Sequence, residues 1–105
     1  MKLHATTAFL LVALPLAAGC GSSGGSAGSP GAKVFASSGC GSCHTLKDAG
    51  ANGKIGPDLD ALKPDPEAAQ RQIENGGGGM PPFKGQLTDQ EIAAVATYVA
   101  DVAGK

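Results

Sequence analysis

The sequence predicts an all-α domain of three to four helices, and three observations carry that expectation. Thr88-Asp89-Gln90-Glu91 is a capping box, with Leu87 and Ile92 as the hydrophobic staple across it, and Ile92, Val95, Ala96, Val99 and Val102 follow at helical spacing. Ser29-Pro30 and Asp65-Pro66 each place a capping side chain directly before a proline at the first helical position. No run alternates apolar and polar residues over any length, as a half-buried strand would. With 105 residues the chain has room for one small domain at most.

The N-terminus stands outside that domain. Met1-Lys2 supply a positive charge, Ala5 to Ala18 is predominantly apolar with a break at Pro15, and small residues follow, the order of a secretory signal peptide over residues 1–19. The apolar run falls short of the roughly 20 residues a comfortable membrane span needs. It ends in Leu16-Ala17-Ala18-Gly19-Cys20, which resembles the lipobox of bacterial lipoproteins, with Ala17 where leucine is commonest. Cys20 would then be acylated and become the mature N-terminus. An ordinary cut nearby would instead leave an odd exposed thiol, a reactive liability that favours lipidation. Residues 20–29 therefore read as an acylated cysteine and a Gly/Ser linker. The linker's typical span is on the order of 15 Å, a short leash. The expected place is outside the cytoplasm, either lipid-anchored on the outer face of the cytoplasmic membrane or in the periplasm.

From Pro30 to the C-terminus the chain reads as the folded domain. A first helix runs from Pro30 to about Ser38, with Val34 and Phe35 as its large apolar residues and Gly39 as its stop. So short a helix must dock on something. Immediately after it comes Cys40-Gly41-Ser42-Cys43-His44, the C-x-x-C-H spacing at which haem is covalently attached. Two thiols at that spacing can add across the two vinyl groups on one edge of the porphyrin, and the adjoining imidazole can bind iron. Other chemistries fit less well. A structural zinc site wants four ligands, and outside the targeting segment only Cys40, Cys43 and His44 remain. A thioredoxin-like pair would need a preceding strand. A Cys40–Cys43 disulfide is chemically possible but leaves His44 without a role. The mature chain has only Phe35, Phe83 and Tyr98 as aromatics, so a large apolar ring would also make good a thin core.

Thr45 to Leu62 shows no sustained period and reads as a compact loop ending in a short turn or helix near Asp58–Leu62. Within it, Gly56-Pro57-Asp58-Leu59 offers the Pro57 carbonyl as an acceptor for the second ring N–H of His44, although the segment also suits a plain turn. A helix from Asp65-Pro66 to about Asn75 carries Ala69 and Ile73 on one face and stops at Gly76. Gly76 to Gly79 then lead into Met80-Pro81-Pro82-Phe83. Methionine is usually core filler on a helix or strand, but glycines and prolines exclude both here. A thioether on such a loop suits the sixth position of iron, and Met80 is the expected distal ligand.

Taken together, Gly31 and Phe35, Cys40-x-x-Cys43-His44, Gly56-Pro57-x-Leu59, Ile73-x-x-Gly76-x-x-x-Met80-Pro81-x-Phe83, Leu87-Thr88-Asp89-x-Glu91-Ile92 and Tyr98-Val99 resemble a class I monohaem cytochrome c of the short bacterial type. The resemblance covers residues 30–105. It implies a small cytochrome c fold wrapped around one covalent haem c, with first and last helices crossing near Gly31, Phe35, Val95 and Tyr98. It also implies His44 and Met80 as axial iron ligands, and one-electron transfer. The chain has no tryptophan to hold a haem propionate, so Arg71, Lys54 or backbone groups would do so.

The function expected is a membrane-tethered electron carrier rather than an enzyme, since no nucleophile–base set stands beside the haem motif. Its partners would be redox proteins: an oxidase, a dehydrogenase or a quinol-oxidising complex. Alternatives are a haem subunit of a larger oxidoreductase, or a peroxide- or gas-reactive haem protein should Met80 not bind iron. A formal net charge of −1 gives no basic face for nucleic acid, and the carrier is expected to be a monomer.

Overall fold

The longest helix of the described residues organises the rest. In the computed structural model, which describes residues 28–105, α4 spans Asp89–Val102. The capping box is complete: the Glu91 amide donates to the Thr88 hydroxyl at 3.1 Å, and the Thr88 amide donates to the Glu91 carboxylate at 3.0 Å. These two bonds satisfy amides that would otherwise be orphaned at the helix start. Ile92, Val95, Ala96, Tyr98 and Val99 are the buried face. Full burial of a side chain such as Ile92 or Val95 contributes about 1.5–3 kcal/mol each. Residues 1–27, which hold the expected signal peptide, Cys20 and most of the expected linker, lie outside the described residues.

Helix α1 (Pro30–Ser37) and helix α3 (Pro66–Asn75) both pack against α4. Ser29 caps α1 by accepting the Ala32 amide at 3.1 Å, and Asp65 caps α3 by accepting the Ala68 amide at 2.8 Å. The α1–α4 crossing depends on Gly31. A methyl group there would collide with the Ala94 carbonyl oxygen and with Cβ of Tyr98, so only glycine lets the two backbones meet. One turn on, the rings of Phe35 and Tyr98 meet edge to face with centroids 6.0 Å apart. Of the expected crossing residues, Gly31, Phe35 and Tyr98 meet there, and Val95 is buried in the same core. Tyr98 also reaches across the fold, its hydroxyl donating to Asp48 at 2.7 Å. Burial, then that carboxylate, push its phenol well above the ordinary tyrosine range, so it is a fixed donor.

The structure adds a small sheet to the all-α expectation. Thr45–Leu46 (β1) and Ala51–Asn52 (β2) pair antiparallel, Thr45 opposite Asn52 and Leu46 opposite Ala51, joined by a single helical turn at Lys47–Ala49. Two residues per strand are too few for an alternating pattern to show in the sequence. The pairing gives loop backbone its hydrogen bonds and drives Leu46 into the core, fully buried. The short helix expected near Asp58–Leu62 is α2, Leu59–Leu62, capped by the Asp58 carboxylate. No helix among the described residues is long and apolar enough to cross a membrane.

Asp60 on α2 ties distant parts together. Its carboxylate accepts the Gly104 amide at 2.9 Å and the Lys47 amide at 2.8 Å, joining the end of α4 to the hairpin. Those two bonds, Gly104 first, hold its pKa below the ordinary aspartate value. A depressed folded-state pKa means stability that is present above the unfolded value, about 4, and is lost as pH falls through the lower folded one. Asp60→Asn should therefore lower the melting temperature at neutral pH, with the gap to wild type closing as pH drops below about 4. A pH series of thermal unfolding curves checks this. Gly31→Val should be costlier at every pH, about 3 kcal/mol by denaturant unfolding, because backbone rather than a flexible side chain stands in the way.

Candidate haem-binding site

The site starts where α1 stops. Gly39, at φ 74, turns the chain out of the helix and into a single helical turn at Cys40–Ser42. The Cys40 carbonyl accepts both the Cys43 amide at 3.2 Å and the His44 amide at 3.0 Å, which fixes the attachment segment as one tight unit. Both cysteines are half-buried free thiols, and Cys40 packs against the hydrophobic core. Burial pushes the Cys40 thiol up, assisted by Cys43 beside it. Gly41 fits between Ala51 and Phe35, so the spacer between the cysteines lies on the core.

His44 is held from behind by the segment that follows β2. Its Nδ1 lies 2.8 Å from the Pro57 carbonyl oxygen. A carbonyl can only accept, so Nδ1 carries the proton and the Nε2 lone pair is left for a metal. Gly56 lies flat against the imidazole: a Cβ there would be 2.7 Å from Cε1. Gly53 presses equally closely on the backbone of Cys43 and His44. Three more bonds strap the segment down. The Gly56 amide donates to the Cys43 carbonyl at 2.7 Å, the Gly53 amide to the His44 carbonyl at 3.1 Å, and the Thr45 hydroxyl to the Gly53 carbonyl at 2.8 Å.

Met80 is placed by α3 and the glycine run. Gly77 and Met80 exchange both backbone hydrogen bonds, at 2.9 and 3.1 Å, around Gly78 and Gly79 at φ 61 and 93. Two successive positive φ values are the signature of a type I′ hairpin turn, which is why a Gly-Gly pair stands there. The glycines thus make a defined turn, a further reason for their number beyond close approach to a ring. Beyond it the Phe83 amide donates to the Ile73 carbonyl at 2.9 Å, returning the loop to α3. The Gln72 side-chain amide donates to the Gly77 carbonyl at 3.3 Å and stands 3.9 Å from the Met80 sulfur.

Gln72 and Gly53 are the residues that sequence reasoning passed over. An amide on a polar helix looks like any solvated side chain, and a glycine in an irregular loop gives no sign that backbone lies against it. Arg71 and Lys54 are exposed, and Arg71 shares the outer surface of α3 with Glu67 and Glu74. A cavity of about 460 Å³ opens between α1, the Cys40–Ser42 turn and the hairpin, but neither His44 nor Met80 lines it. Cys20 lies outside the described residues.

The donor set fits a covalent haem. Two thiols on one rigid turn stand beside an imidazole whose tautomer leaves Nε2 open, in a cradle that a Cβ at residue 56 would fill. Comparison with known proteins agrees. Residues 26–99 match the family model described as cytochrome c oxidase, cbb3-type, subunit III. Cytochrome c6 of Leptolyngbya boryana is 42% identical over 79 residues, covering 71% of this chain and 92% of that one. Cytochrome c6 of Tetradesmus obliquus is 42% identical over 74 residues, covering 61% and 79%. The crystal structure of the c-type cytochrome SorU from Sinorhizobium meliloti superposes with a TM-score of 0.69 at 49% identity, over 72% of this chain and 90% of that one. The chain belongs to the class I monohaem cytochrome c family of electron carriers, and holds one covalent haem c through Cys40, Cys43 and His44.

Proposed function

We propose that the chain is a membrane-tethered one-electron carrier whose haem iron is ligated by His44 and Met80. The observation that carries this reading is the pair of independent supports. His44 is oriented by its 2.8 Å bond to Pro57, and Met80 is presented by a separate hairpin turn on α3. When bound, the haem supplies a metal that changes oxidation state by one electron, and a thioether ligand raises its potential relative to two nitrogens. What the chain contributes is constancy. The Pro57 carbonyl holds the imidazole, the Gly77–Met80 turn and Gln72 hold the thioether, and neither support requires movement when charge on the metal changes. Were His44 and Met80 both to bind the metal, no position would be left for peroxide or gases.

Residues 1–19 are read as a signal peptide, Cys20 as the acylated N-terminus and residues 21–29 as the leash. A diacylglyceryl cysteine supplies the second chain that durable anchoring needs. The domain would then work outside the cytoplasm, close to a membrane surface, exchanging electrons with an oxidase, a dehydrogenase or a quinol-oxidising complex. A second reading, a haem subunit working inside one oxidoreductase, is favoured by the description of the matching family as an oxidase subunit. Purification of the native protein alone or with companions separates the two.

Met80→Ala should leave the haem attached, because the thioethers are untouched, while the potential falls and carbon monoxide binds far faster. A merely buried methionine would cost about 2–5 kcal/mol on truncation but leave the visible spectrum and potential where they were, and that result sinks the ligand assignment. Cys20→Ser should release the protein from membranes or block its maturation. Wild-type protein found wholly soluble with an unmodified N-terminus counts against the anchor.

A further inference from the structure

Two hydrogen bonds of this domain join residues 13 apart, one set three residues on from the other. The first orients the site: His44 Nδ1 donates to the Pro57 carbonyl at 2.8 Å. In the second, the Lys47 amide donates to the Asp60 carboxylate at 2.8 Å. The chain runs from His44 through β1 to Lys47, and from Pro57 through the Asp58 cap into α2 and Asp60.

The two segments are fastened unevenly. Before Pro57, the Gly53 and Gly56 amides and the Thr45 hydroxyl strap residues 53–56 to residues 43–45. Beyond Pro57, the Asp60–Lys47 bond is the only hydrogen bond among the described residues between residues 58–63 and the segment 44–52. Leu59 is buried and keeps α2 docked, but apolar contact is non-directional and sets no register. A charge-assisted hydrogen bond does, because it has a fixed length and direction. The other oxygen of the same carboxylate accepts the Gly104 amide at 2.9 Å, from the end of α4. Asp60 is therefore anchored behind as well as in front.

We propose that Asp60 is a positioning residue for the iron-binding histidine. Through the Lys47 amide it fixes the register in which the Pro57 carbonyl meets His44, and so helps to set the reduction potential. The proposal rests on the reading of His44 as an iron ligand. A carbonyl that holds the Nδ1 proton makes the imidazole a stronger donor at Nε2, and a stronger donor favours the more positive oxidation state. Letting that carbonyl slip should therefore raise the potential.

The test compares Lys47→Pro with Lys47→Ala in the haem-loaded protein. Both lose the ammonium group, but only proline also loses the amide that Asp60 accepts. Position 47 suits proline: it opens a helical turn, and Leu46 before it is extended at φ −151. Relative to Lys47→Ala, Lys47→Pro should tilt the equilibrium toward the reduced state on the order of threefold, about 30 mV for one electron. The His44 ring N–H, followed by NMR in the reduced protein, should exchange with solvent about tenfold faster. Asp60→Ala should show the same faster exchange, and carries the test if the proline variant does not fold. Tyr98→Phe removes a different long-range bond, to Asp48. It should lower the melting temperature and leave potential and exchange where they were.

An unmoved potential and exchange rate in Lys47→Pro, or an unmoved exchange rate in Asp60→Ala, overturns the proposal. Equal changes in Tyr98→Phe overturn it too, since the effect would then be one of general stability. Wild-type His44 ring signals without a haem-induced shift overturn the ligand reading itself, and this proposal with it.

Discussion

One hydrogen bond, from His44 Nδ1 to the Pro57 carbonyl, is the constraint around which this small domain is built. It decides the tautomer of the imidazole and therefore which nitrogen can face a metal. To make it, the chain must bring residue 57 back over residue 44. That return dictates glycines at 53 and 56, the hydroxyl bond from Thr45, and the two-residue strand pairing that closes the loop. Leu46 is buried as a by-product of the same return, so the loop that orients the histidine is also part of the core.

α3 and its glycine turn make a second unit. It reaches the attachment segment through α4, which packs against both α1 and α3. The helix that bears the attachment turn and the helix that bears the Met80 loop are therefore positioned by a common helix. That economy suits a domain with few large side chains. Phe35, Tyr98, Val95 and Leu46 form a small core, and polar links such as Tyr98 to Asp48 and Asp60 to Gly104 hold its edges.

Where the information is local, the sequence shows it plainly. Ser29, Asp65 and Thr88 announce helix starts because a cap acts on amides only two or three residues away. The C-x-x-C-H segment is legible for the same reason: its chemistry needs a fixed short spacing. The hairpin at Thr45–Asn52 was not legible, since two-residue strands have no period. Nor were the roles of Gly53 and Gln72, which come from backbone and loop atoms brought near by the fold. Gly76 to Gly79 were visible as unusual, but that they form a turn with residues 77 and 80 exchanging hydrogen bonds is conformational information.

The docking of α1 on α4 has a consequence for the order of events in the life of the chain. The first helix finds its partner only at Ala94 and Tyr98, more than half the described length further on. Loop closure over such a separation is slow compared with local helix formation. The core cannot close on a chain that stops short of α4, because α4 is the far wall. Until then the turn bearing Cys40 and Cys43 is joined to a helix with nothing to rest on. That leaves an interval in which both thiols are open to covalent modification, before the same residues are drawn half under cover.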